Sequence, residues 1–154
     1  SGTILTSSDG TTWTSRTSGT TRKVIEITYA NSTFMAVGGG GTILTSSNLT
    51  FWTNITSGTT NKVNSGTFGN NIFVTVGDNG TILTSSHPYA MTWWTAKTLG
   101  TTDKLNGIAY GNSTYVTVGN NGTIFSSTDT NTWTSRTSGT SENFRRVFYK
   151  KEIL

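Results

Sequence analysis

One heptapeptide governs what this chain can become: GTILTSS begins at Gly2, recurs at Gly41 and Gly80, and returns as GTIFSST at Gly122, at spacings of 39, 39 and 42 residues. Trp13, Trp52, Trp94 and Trp133 follow at matching offsets, and six residues after each stands Gly19, Gly58, Gly100 or Gly139. A second block, KVIEITYANSTFMAVG from Lys23, recurs from Lys62 and from Lys104. A period of this length marks a repeat architecture in which each copy is one supersecondary unit. The three extra residues of the third copy fall in HPYAMTW, between Ser86 and Trp94, and read as a loop insertion.

Each unit divides into four short apolar or Thr-rich runs, strands A to D in chain order, separated by turn residues. The first two runs, from Val24 and Thr33, are joined by Asn31-Ser32, by Asn70-Asn71, or by Gly111-Asn112 in the third unit. The second and third are joined by Asp78-Asn79-Gly80 or Asn120-Asn121-Gly122, residues that tolerate positive φ in tight hairpins. The third run starts at Thr42 and the fourth at the tryptophan. Thr, present 35 times, suits a pleated surface, whereas helix formers are scarce, so helix is expected to be nearly absent. Four antiparallel strands per 39 to 42 residues predict an all-β fold, a β-propeller of four-stranded blades with four repeat equivalents in the chain.

Phase divides residues 1–154, a single array, into strands C and D of a split blade (1–21), three whole blades (22–60, 61–102 and 103–141), and strand A of a split blade (142–154). In FRRVFYKKEIL, Phe144, Val147 and Tyr149 fall on the positions of Leu105, Ile108 and Tyr110. A blade cannot bury both faces alone. The chain therefore closes a four-bladed ring, joins other copies in a larger one, or belongs to a longer array. Tight curvature in a four-bladed ring and a short strand B favour a homo-oligomer, most simply a two-fold ring of eight blades.

Composition narrows the function. Charged residues are 12% of the chain and cysteine is absent, which excludes disulfides and thiolate metal sites. The net charge of +4 is concentrated in Arg145, Arg146, Lys150 and Lys151, not in a basic stripe interleaved with aromatics, so nucleic acid is not the expected partner. No apolar run approaches 18 residues, and no leader is recognisable, so neither a membrane span nor a signal peptide is expected.

SSDGTTW (Ser7 to Trp13) and STDTNTW (Ser127 to Trp133) resemble the Asp-box of sialidase-like and photosystem-assembly-factor-like propellers, and the blade pattern is similar to Gly-Thr-rich propeller repeats of phage and bacterial surface proteins. The resemblance covers essentially the whole chain and implies architecture. The acidic position is Asn48 and His87 in copies two and three, so Asp9 and Asp129 are read as turn-stabilising.

No catalytic constellation emerges. Glycoside hydrolysis needs paired carboxylates, but the seven acids are scattered over several repeat positions, and Glu26 reads as an exposed acid. His87 is the lone histidine, so no metal site or cofactor is implied. Two ligand-binding candidates remain. Lys23, Lys62 and Lys104 recur in register at the D-to-A connection and would ring the mouth of a central channel, attracting an acidic ligand. Tyr89 and Trp93 in the insertion can stack on sugars or anchor a protein. The reading is a non-catalytic binding or structural module on a cell or virion surface, with glycans as the expected ligands. A degenerate sialidase-like hydrolase fragment and a protein-docking assembly factor are the alternatives.

Overall fold

A computed structural model of the chain describes residues 2–87 and 94–151. Strands β1 (Ile4–Thr6) and β2 (Thr14–Arg16) form a two-stranded sheet. Three four-stranded antiparallel meanders follow. The first comprises β3 (Val24–Ala30), β4 (Thr33–Gly38), β5 (Ile43–Ser46) and β6 (Thr53–Ile55). The second comprises β7 (Val63–Gly69), β8 (Ile72–Gly77), β9 (Ile82–Ser85) and β10 (Thr95–Lys97). The third comprises β11 (Leu105–Gly111), β12 (Thr114–Gly119), β13 (Ile124–Ser127) and β14 (Thr134–Ser135). The Gly38–Gly41 run makes a three-residue 3₁₀ turn, the sole helical element among the described residues.

The first two strands of each blade are joined by two residues with positive φ: Asn31 and Ser32, Asn70 and Asn71, Asn112 and Ser113. This geometry matches the right-handed strand twist. The third turn is thus centred on Asn112-Ser113 and not on Gly111-Asn112, because Gly111 still pairs with Thr114 as the last rung of its ladder. An aromatic pair spans each hairpin, with ring centroids 4.4 Å apart for Tyr29 and Phe34, 4.6 Å for Phe68 and Phe73, and 4.5 Å for Tyr110 and Tyr115.

Side-chain alternation gives each blade two apolar faces. Met35, Val37, Ile43 and Ile55 of the first whole blade pack with Val63, Phe73, Leu83 and Trp94 of the second. Val74, Val76 and Ile82 on the second blade's other face pack with Leu105, Ile108 and Tyr115 of the third. Ile4 of the half-blade covers Ala36 and Leu44. The innermost strands β3, β7 and β11 lie side by side in that order, so the blades are arranged radially. Tyr115 adds a polar link, its hydroxyl donating to the Gly69 carbonyl of the preceding blade. Burial, and secondarily the neighbouring Tyr110, pushes that hydroxyl up to about 12.

The C-to-D turns carry the chemistry expected of them. Ser7 Oγ accepts the N–H groups of Asp9 and Gly10, while Asp9 Oδ1 accepts those of Thr11 and Thr12, both at 2.8 Å. Ser127 and Asp129 repeat the arrangement, and Ser46 and Asn48 repeat it with an amide. These backbone donors, led by Thr12 and Thr132 respectively, hold the Asp9 and Asp129 carboxyls below the usual carboxylate range. A group with a depressed folded-state pKa contributes stability that is present above its unfolded value, near 3.9, and lost as pH falls through the folded value. The melting temperature should therefore fall progressively below about pH 4. In the Asp9→Asn/Asp129→Asn double variant this acid limb should be shallower, with little change at pH 7, because Asn48 already holds the same turn. An acid limb identical to that of the unaltered protein in thermal melts from pH 7 to 2 would contradict this assignment.

The tail does not become a strand as expected. Residues 142–151 run beside β11, but form no ladder, because innermost strands β3, β7 and β11 each pair with a second strand and the tail has no such partner among the described residues. Its position is nonetheless that of an innermost strand: Phe144 N–H donates to the Gly119 carbonyl at 2.9 Å, and the Tyr149 ring lies over Gly111 as the Tyr110 ring lies over Gly69.

Candidate functional site

The innermost strands share one irregularity that shapes the axis. In each, the register slips by one residue, at Ile25, Asn64 or Asn106, so that this residue is left out of the ladder. Such a bulge re-aims its side chain. Asn64 Nδ2 donates to Asp78 Oδ1 within its own blade at 2.9 Å and to the Leu105 carbonyl of the next at 2.8 Å. Asn106 does the same with Asn120 Oδ1 at 2.9 Å and the Phe144 carbonyl at 2.7 Å. The first whole blade lacks both halves of this clamp, having Ile25 and Gly39 at the corresponding positions. There Glu26 substitutes: its Oε2 accepts the Gly66 N–H at 2.7 Å, and Thr28 donates to the Gly66 carbonyl at 2.9 Å. Glu26 is therefore a half-buried inter-blade acceptor, not the exposed acid that the repeat position suggested. The next inner strand brings an unpaired N–H to it.

These bulged strands and the tail surround an axial depression of about 500 Å³. Lys62, Lys104, Arg145 and Arg146 line it together with Glu26, Asn64 and Asn106. Among the described residues Lys104 makes a loose ion contact, Nζ to Asp78 Oδ1 at 4.0 Å, and such exposed pairs contribute little. Each lysine ends a D-to-A connection, which is pinned to the B-to-C hairpin of its blade: the carbonyls of Lys23, Lys62 and Lys104 accept the N–H groups of Gly39, Asp78 and Asn120 at 2.9 Å.

The depression gathers two of the three predicted lysines. Lys23 is exposed and lies outside its lining, although Ile25 and Glu26 of the same strand start belong to it. Tyr89 and Trp93 lie outside the described residues. Arg145 and Arg146 do not stand out as site residues in the sequence. The register that places the tail as an innermost strand sets them at the positions of Asn106 and Gly107, and this is the signal that points to them.

Asp103 is likewise committed to structure. Asp103 accepts the Thr123 hydroxyl at 2.7 Å and the Asn121 amide at 2.8 Å, and these hydrogen bonds, led by that from Thr123, hold its carboxyl below the usual range. No group of three or more His, Cys, Asp or Glu side chains positioned to hold a metal occurs among the described residues.

No family model and no curated protein matches the chain. Among solved structures it is similar to YCF48 bound to D1 peptide, at 17% identity with a TM-score of 0.69 over 96% of this chain and 50% of that one. It is also similar to YCF48 from Cyanidioschyzon merolae, at 15% identity with a TM-score of 0.67 over 94% of this chain and 52% of that one. The chain spans about half the length of these structures. At such identities the likeness speaks to the fold, and that fold is the β-propeller.

Proposed function

We propose that this chain is a non-catalytic propeller module that docks a protein partner by taking an acidic peptide segment into the axial depression. The carrying observation is the convergence of Lys62, Lys104, Arg145 and Arg146 on one concave surface, where Glu26 is engaged by the Gly66 N–H. Clustered like charges in a concavity focus a field on an oppositely charged ligand and set both its orientation and its rate of encounter. The structural commitment of Asp9, Glu26, Asp78, Asp103 and Asp129 to turns and clamps supports the absence of an acid–base pair. A propeller of similar fold has been solved with a peptide bound, which favours docking over the glycan reading; the latter leaned on Tyr89 and Trp93.

Fluorescence anisotropy with a short Asp/Glu-rich peptide tests this. Lys62→Glu/Lys104→Glu should weaken binding by at least about tenfold, and raising salt from about 0.05 to 0.5 M should weaken it comparably. Equal affinity for an uncharged peptide, or preferential binding of a sialylated oligosaccharide over the acidic peptide, would overturn the proposal.

A further inference from the structure

One repeat position on the innermost strands carries a different residue in each whole blade. Glu26, Ser65 and Gly107 occupy it in turn, at the repeat spacings of 39 and 42 residues. Its side chain addresses the innermost strand that follows. Glu26 Oε2 accepts the Gly66 N–H at 2.7 Å, Ser65 Oγ accepts the Ile108 N–H at 3.4 Å, and a Cβ on Gly107 would lie 3.0 Å from Arg146 Cα. The fold therefore asks for at most one acceptor here, and a neutral hydroxyl supplies it in the second whole blade. The carboxylate of Glu26 goes beyond that requirement.

That carboxylate also has capacity left. A carboxylate can accept about four hydrogen bonds. Among the described residues Glu26 accepts the one from Gly66, and no lysine or arginine forms an ion pair with it. Yet it lines the same depression as Lys62, Lys104, Arg145 and Arg146. Glu26 stands on β3, the two lysines lead into β7 and β11, and the two arginines belong to the tail, so the acid and the cations come from different strands. The depression is thus bipolar, with a half-buried acid that its own cations leave unpaired. A partly desolvated carboxylate in this state gains from an incoming cation.

We propose that Glu26 is a specificity-determining residue of the depression, taking a Lys or Arg side chain of the docked segment; this rests on the acidic-peptide docking proposed above. The preferred partner is then a segment of mixed charge, its acidic residues set against Lys62, Lys104, Arg145 and Arg146 and one cation set against Glu26. A segment acidic throughout brings a carboxylate up to Glu26, and like charges brought together at an interface act against the wrong partner. Glu26 thereby fixes the direction in which the segment lies and disfavours uniformly acidic competitors.

Anisotropy with three peptides, acetylated and amidated at their ends, tests this. The first is an Asp/Glu-rich segment flanked by Gln on both sides, and the others carry Arg in place of the leading or the trailing Gln. One of the two Arg peptides should bind the unaltered protein about three- to tenfold more tightly than the Gln peptide. A depression that reads only negative charge would bind both more weakly, since each carries one net negative charge fewer. Glu26→Gln keeps an oxygen to accept the Gly66 N–H, and it should abolish the gain while tightening the Gln peptide about two- to threefold. Glu26→Ser, which copies the residue of the next blade, should act likewise and serves if the glutamine variant fails to fold. A purely structural role for Glu26 would not couple it to the Arg of the peptide. No gain from either Arg, or a gain that persists in both variants, overturns the proposal and leaves the docking intact. Binding of none of the three peptides overturns the docking, and this assignment with it.

Discussion

Gly41→Ala is expected to destabilise the protein by about 3–5 kcal/mol, while Gly58→Ala, further along in the same crossing, should cost only about 1–2 kcal/mol. Both glycines have left-handed backbones, with φ of +73° and +74°. An alanine at either position incurs the penalty of that region. The two sites differ in space. The connection from the first whole blade to the second runs through Ser57, Gly58 and Thr59 directly across Gly41, where an added Cβ would collide with the Thr59 carbonyl oxygen and lie 2.7 Å from Ser57 Oγ. Backbone cannot yield there as a flexible side chain would. Gly58 faces open space, with nothing within 4 Å of an added methyl group. The same crossing recurs at Gly80 against Thr101 and at Gly122 against Thr140, so the glycine of these GT steps marks a close approach of two backbones. Urea denaturation of the two variants measures the difference; equal losses would show that the dihedral angle alone demands glycine.

Asn64→Leu is the second large effect expected, a loss of about 1–3 kcal/mol. The substitution removes both hydrogen bonds of a buried amide and leaves the Leu105 carbonyl without that donor. An acceptor stranded in this way costs more than the bond itself contributes. Asn106→Leu should cost less, because Asn106 is only half-buried and water can reach what it leaves behind. The contrast identifies these amides as the clamps that hold one blade to the next. If Asn64→Leu unfolds at the same urea concentration as the unaltered protein, apolar packing alone sets the blade-to-blade contact.

The strands were legible because a blade is written in local signals. Short runs of alternating apolar positions, bounded by Asn-Ser or Asn-Gly pairs, specify a hairpin within a brief stretch of chain. The turn roles of Asp9 and Asp129 were legible for the same reason, since their hydrogen bonds reach only two or three residues onward. The role of Glu26 was hidden because its partner, Gly66, is 40 residues away on another blade. Half of the cation cluster was likewise hidden, because Arg145 and Arg146 share neither motif nor residue type with Lys62 and Lys104 and join them only where the tail packs beside β11.

Period, strand positions, turn chemistry and the all-β character were set by the order of residues alone, since each depends on neighbours a few positions apart. Which bulged side chain bridges which blades and which cations face one depression were decided by the tertiary structure. Those features follow from the angle at which one sheet packs on the next, and that angle arises from how two whole faces fit together, not from any one segment.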